Sequence, residues 1–204
     1  MKNISQPCNV YRLGQLEYGK AWSLQKALVK QISNGEQPSS LLLLEHDHVY
    51  TVGRTGSMAE INASEASLLD LGISIYETDR GGQVTYHGPG QLIAYPIIDI
   101  RALGGPLKYV RALEQIIIKT LSDYNINALT KDGYTGVWVS DEKIAAIGVK
   151  ISKGIALHGI SLNVNPDLSY FKHIIPCGLV KAQITSMEKI FGKPMNVDTI
   201  AYSL

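Results

Sequence analysis

Cys177 is a candidate nucleophile, and Lys143, His87, His158 and His173 are the residues whose types could activate it. Cys177 sits in Ile174-Ile175-Pro176-Cys177-Gly178-Leu179. Pro176 fixes one backbone angle and Gly178 permits unusual ones, which would stand the thiol on a rigid turn with a backbone N–H just after it. That suits a nucleophile beside an oxyanion site. A small buried apolar residue, the usual situation of a free cysteine, is the plainer reading of it. A nucleophilic thiol needs help at neutral pH, because an ordinary cysteine titrates near ~8.5. A lysine ammonium at ~4 Å, in an effective dielectric of ~20, would favour the thiolate by up to ~4 kcal/mol, less what desolvation takes back. Lys143, at the head of the apolar run Lys143-Ile144-Ala145-Ala146-Ile147-Gly148, is one candidate partner. A solvated hairpin lysine is the plainer reading of it. His87, His158 and His173 are rival bases, since cysteine–histidine pairs are the commoner arrangement.

The densest stretch of the chain is Arg80-Gly81-Gly82-Gln83-Val84-Thr85-Tyr86-His87-Gly88-Pro89-Gly90-Gln91. Its glycines let backbone come close to a ligand, and Arg80, Gln83, Tyr86 and His87 add hydrogen-bonding groups. Either a pocket wall or a plain Gly-Pro turn fits this composition. His46-Asp47-His48 has metal-like residue types, and on a strand the two imidazoles would share a face, but no third ligand accompanies them. Neither a phosphate-binding Gly-x-x-x-x-Gly-Lys-Ser/Thr loop nor a dinucleotide fingerprint is present.

The elements that must position these groups are legible in outline. Ala21, Leu24, Leu28 and Ile32 recur at helical spacing and predict a helix over 18–33, ended by Asn34-Gly35. Strands are expected at 40–45, 49–52, 73–77 and 92–98, the last two flanking the glycine-rich loop. Asn62 and Glu65 have capping-box spacing ahead of a short helix closed by Gly72. After Gly104-Gly105-Pro106, residues Val110, Leu113, Ile117 and Leu121 mark one face of a long helix to about 124. Strands follow at 126–129, 135–140, 143–151 and 156–164, with Ser140-Asp141-Glu142 as a hairpin connection. Thr185 and Glu188 form a second capping box. Hairpins with separate helices predict an α+β fold, a mixed and largely antiparallel sheet packed with helices, in a single domain over 1–204.

Bulk properties narrow the function. The chain has 204 residues, 45% hydrophobic and 18% charged, with net charge +1. No strong field draws it to nucleic acid or an anionic membrane. Two distant cysteines, Cys8 and Cys177, make neither a disulfide scaffold nor a zinc motif, and a reduced, cytoplasmic setting is expected. The first eighteen residues lack an apolar signal core, and no run is long enough to span a bilayer.

Taken together, residues 80–91 resemble the signature of the lipoyl(octanoyl) transferase family. Tyr18, Ala21, Trp22 and Gln25; Glu45-His46 with Val49-Tyr50-Thr51 and Gly53-Arg54; Lys143 to Gly148; His158-Gly159 with Leu162-Asn163-Val164; Pro176-Cys177-Gly178; and Thr185-Ser186 agree with it in order. The resemblance implies the fold of biotin and lipoate protein ligases. It also implies transfer of an octanoyl group from acyl carrier protein to a lysine of lipoyl domains or a glycine-cleavage H-type protein, without ATP, cofactor or metal. Cys177 matches the family's acyl-accepting cysteine and Lys143 the lysine that lowers its pKa and handles protons. Arg80, Gly81, Gly82, Gln83, Val84, Thr85, Tyr86 and His87 match the main substrate-binding stretch. Ala146, Ile147 and Gly148, with Gly159, Ile160 and Ser161, match two further substrate-contacting segments. A monomer is expected. His46-Asp47-His48 departs from the family's more usual His-Pro-Pro, which bears on local loop shape, and the last helix is expected to be abbreviated. An ATP-dependent lipoate–protein ligase, a non-catalytic carrier-protein binding module and a cysteine thioesterase are the competing readings.

Overall fold

The computed structural model describes residues 7–175 and 183–204; Cys177, with Pro176, Gly178 and Leu179, lies outside the described residues. Two sheets carry the fold. The larger has the order β1 (Cys8–Gln15), β2 (Ser39–Glu45), β6 (Gln91–Ile97), β9 (Ile155–Asn163), β8 (Glu142–Ser152), with β10 (Gln183–Ile184) and β7 (Val137–Val139) both pairing with β8. The β1–β2 and β8–β10 pairings are parallel and the rest antiparallel. The smaller sheet, β4 (Ser74–Glu77), β3 (Val49–Val52), β5 (Val84–His87), is likewise mixed. The expected α+β class with a largely antiparallel mixed sheet is what forms.

Side-chain alternation explains why the central strands read as continuous apolar runs. Leu42 and Leu44 of β2, Ile93, Tyr95 and Ile97 of β6, and Ile155 and Leu157 of β9 pack on one face against Ala21 and Leu28 of α1 (Tyr18–Ser33). Leu43, Leu92, Ala94, Ala156, Ile160 and Leu162 point the other way, onto Leu113, Ile117 and Leu121 of α3 (Pro106–Ser122). A strand buried on both faces has no polar positions to alternate with. Close packing at the centre requires Gly159: a Cβ there would lie 2.3 Å from the Ala94 carbonyl oxygen. A third cluster, including Tyr50, Val52, Val84, Tyr86 and Ile174, holds the small sheet together.

Several local expectations are corrected. Residues 84–87, read as part of a loop, are strand β5, because pairing with β3 recruits four buried residues between glycines. Residues 126–129 are not a strand; only Leu129 bridges, to Trp138. β1, unpredicted, is a mostly exposed edge strand. The cap of α2 (Glu65–Asp70) is Ser64 rather than Asn62, whose N–H goes to the His173 carbonyl. The cap of α4 (Met187–Phe191) is Ser186 rather than Thr185. Helix α5 (Val197–Ser203), capped by Asn196, packs Ile200 and Ala201 into the α3-side core.

Candidate functional site

The two segments Ala146–Gly148 and Gly159–Ser161 lie directly across from each other. In the β8–β9 ladder Ala146 pairs with Ser161, Ile147 with Ile160 and Gly148 with Gly159. They form one wall of a cleft with about 450 Å³ of empty space, solvent at its mouth included. Arg80, Gly81 and Gly82 form a second wall, tied to the sheet by the Gly81 N–H donating to the Val149 carbonyl at 2.9 Å. Thr85 and His87 line a third, and Tyr18, Tyr95 and His158 complete it. The exposed lining is mostly apolar.

Strand β5 sorts its four residues by alternation. Thr85 and His87 face the cleft, while Val84 and Tyr86 turn into the third core cluster. Tyr86 there stacks on Tyr170 and hydrogen-bonds His48. Gln83 contributes its carbonyl, which accepts from Arg80 at 2.7 Å. Of the fourteen residues expected to contact substrate, Gln83, Val84 and Tyr86 therefore stand outside the cleft lining and the other eleven are brought together in it.

Arg80 is buried and holds the loop in shape. Its guanidinium donates to the Thr51 carbonyl at 2.6 Å, the Thr51 hydroxyl at 2.8 Å, and the Gly81 and Gln83 carbonyls. Gly53 lets β3 approach this loop, since a Cβ there would fall 2.2 Å from the Gly82 carbonyl oxygen.

Lys143 is 6% exposed. Its ammonium lies 5.1 Å from the centre of the Trp138 ring, within cation–π range. It opens into a recess with Asn163, Phe171 and Ile184 that shares Thr85, Ala146 and Ser161 with the main cleft. The buried Lys143 side chain thus neighbours residues that also line the main cleft. The chain passes Ile175, whose N–H donates to the Glu60 carbonyl, and re-enters at β10 in register with Glu142 and Lys143.

The histidines divide by environment. His158 adopts φ 58°, a left-handed conformation that a histidine holds only when its surroundings over-determine it. Its N–H donates to the Gln25 side chain, and Nε2 meets Asp79 at 2.8 Å. Burial lowers its pKa despite that carboxylate. Partial burial opposes ionisation of Asp79, but Lys150 and His158 outweigh it and hold the carboxyl below its usual value. His46 Nδ1 donates to the Leu16 carbonyl and Nε2 accepts from Tyr95; burial takes its pKa down to about 4. His48 faces Tyr86 and Tyr170 instead. Residues 46–48 turn between β2 and β3, so the two imidazoles do not share a strand face. No group of three metal-ligating side chains occurs among the described residues. His173 ends a 3-10 turn and is absent from the cleft lining. Tyr18 and Tyr95 were not anticipated from sequence as lining; they come from α1 and β6, and only the tertiary packing makes them neighbours.

Residues 17–204 match the family model described as the lipoyl protein ligase A/B catalytic domain. The chain is 49% identical over 181 residues to an octanoyltransferase of Solibacter usitatus, covering 88% of this chain and 82% of that one. It is 44% identical over 190 residues to an octanoyltransferase of Alkaliphilus metalliredigens, covering 92% and 87%. Among solved structures, LipL1 of P. falciparum in complex with lipoate superposes with a TM-score of 0.76 at 15% identity, over 97% of this chain and 58% of that one. A biotin protein ligase from Aquifex aeolicus superposes at 0.59, also at 15% identity, over 96% and 66%. Those two likenesses concern the fold alone. With a family model covering nearly the whole chain and relatives of this identity, the chain belongs to the lipoyl protein ligase A/B catalytic-domain family.

Proposed function

We propose that this enzyme is an acyltransferase that moves an octanoyl group from octanoyl–acyl carrier protein to a lysine of a lipoyl domain or H-type protein, through a thioester on Cys177. The observation that carries the reading is Lys143, buried in a recess whose Thr85, Ala146 and Ser161 also line an apolar cleft with Arg80, Gly81, Gly82 and His87. An octanoyl chain needs the apolar walls. A thiolate needs the cation.

In the first half-reaction the Cys177 thiolate attacks the donor's thioester carbonyl. A new C–S bond forms, the pantetheine thiolate leaves, and Lys143 gives it a proton. Backbone N–H groups of Gly178 and of the 146–148 segment hold the oxyanion. In the second, the neutral amine of the acceptor lysine attacks the acyl-cysteine. Its C–N bond forms, the Cys177 thiolate departs, and the now neutral Lys143 takes the amine's proton. The pair returns to its starting charge state. An amide lies below a thioester in free energy, so the sequence needs no ATP and no cofactor. The whole chain acts as one catalytic domain, as a cytoplasmic monomer.

The test supplies purified enzyme with a lipoyl domain and either octanoyl–acyl carrier protein without nucleotide or free octanoate with ATP. Octanoyl-lipoyl domain in the first mixture only is expected. Product in the second only identifies a ligase, and release of free octanoate identifies a thioesterase.

A further inference from the structure

His87 lines the cleft, and the buried Gln91 contacts it from outside the lining. The Gln91 side chain, fully buried, donates from Nε2 to the Tyr86 carbonyl at 3.2 Å and to Asn163 Oδ1 at 3.0 Å. Asn163 in turn donates from Nδ2 to the Thr185 carbonyl at 3.0 Å. Backbone carbonyls only accept, so the Tyr86 and Thr185 oxygens fix both amides. Flipping either one would set two acceptor oxygens against each other. Gln91 Oε1 is then left facing His87 Nδ1 at 3.1 Å. An amide oxygen can only accept, so His87 carries its proton on Nδ1.

We propose that Gln91 is a positioning residue that holds His87 in the Nδ1–H tautomer, so that its Nε2 lone pair is presented to the cleft as the acceptor for an N–H of the incoming lysine amine. The identity of that amine rests on the function proposed above; the tautomer does not. No hydrogen bond from a described residue reaches Nε2, and His87 lines the cleft. Burial keeps the imidazole far below its ordinary pKa, and His46 and Arg80 add to this. Burial therefore favours the neutral ring, which keeps the Nε2 lone pair. A neutral amine that donates one N–H to Nε2 has its own lone pair turned toward the acyl carbon. The proton it releases still goes to Lys143, so His87 orients and does not titrate. Tyr18 lies parallel to the imidazole at a centroid distance of 6.3 Å.

Long-range 1H–15N correlation spectra of the 15N-labelled wild-type enzyme read the tautomer directly. The expected pattern at neutral pH is a pyrrole-like Nδ1 and a pyridine-like Nε2 for His87, and the reverse pattern overturns the proposal. Kinetics read the consequence. Octanoyl-enzyme isolated from Gln91→Leu is expected to discharge to a lipoyl domain about tenfold more slowly than wild type, the loss of one oriented hydrogen bond. Acylation by the donor, which uses no amine, slows less. Discharge at the wild-type rate, or equal slowing of both halves, overturns the proposal. Should the variant fail to fold, the wild-type spectrum alone decides the tautomer. A wild-type enzyme that shows the Nδ1–H pattern but forms no acyl-enzyme leaves the tautomer established and removes the reading of the cleft on which the amine depends.

Discussion

Ile184 of β10 stands in parallel register beside Lys143 of β8, and the next residue, Thr185, donates its N–H to the Lys143 carbonyl at 3.0 Å. The same Thr185 carbonyl anchors Asn163, and through it Gln91 and His87. The return of the chain after the Cys177 segment thus meets the backbone of the candidate proton carrier and the amide chain that orients His87.

Lys143 separates charge from proton transfer. Lys143→Arg keeps a cation but cannot exchange protons near neutral pH. Lys143→Met keeps the packing beneath Trp138 and loses both. Steady-state transfer to a lipoyl domain is expected to fall by about 10² or more in each. The rate of thiol alkylation at neutral pH should fall further in Lys143→Met than in Lys143→Arg. Wild-type turnover in Lys143→Arg would remove proton transfer from its role.

The loop at 80–83 depends on one guanidinium and one missing Cβ. Arg80→Lys cannot reproduce the fork that joins Thr51 to the Gly81 and Gln83 carbonyls. A loss of about 1–3 kcal/mol in urea unfolding is expected, with a raised KM for the acyl donor. Gly53→Ala drives a methyl toward the Gly82 carbonyl and should cost about 1–3 kcal/mol. A variant of either kind with unchanged unfolding and KM would contradict this role of the loop.

Acid should destabilise the fold through its histidines. Burial depresses His46 from 6.5 to about 4 and lowers His87 and His158. The unfolded chain binds these protons first, so stability is complete above pH 6.5 and falls as pH drops through that value. His46 alone accounts for about 3 kcal/mol between pH 6.5 and 4. Urea midpoints measured over that range should decline steeply in the wild type and less steeply in His46→Gln. A flat profile would contradict neutral burial.

What the sequence made legible follows from periodicity. α1 and α3 announced themselves by helical spacing, and β2, β6, β8 and β9 by apolar runs, because each buries a regular face. β1 did not, since an exposed edge strand keeps polar residues. β5 was hidden among glycines, although its alternation decides that Thr85 and His87 face the cleft while Val84 and Tyr86 do not. Both helix caps were misplaced by one or two residues because several neighbouring Ser, Thr and Asn side chains can serve. At the site, contiguous segments such as Ala146–Gly148 were readable. Tyr18, Tyr95 and the Gln91–Asn163 link were not, since they arise from helix packing and strand pairing that carry no local signal.

The most direct test of the central claim is an intact-mass spectrum of the enzyme after mixing with octanoyl–acyl carrier protein alone. A single octanoyl group added to the wild-type chain, mapping to Cys177 and absent from Cys177→Ser, is the predicted result. An unmodified wild-type chain that nonetheless octanoylates a lipoyl domain would contradict it.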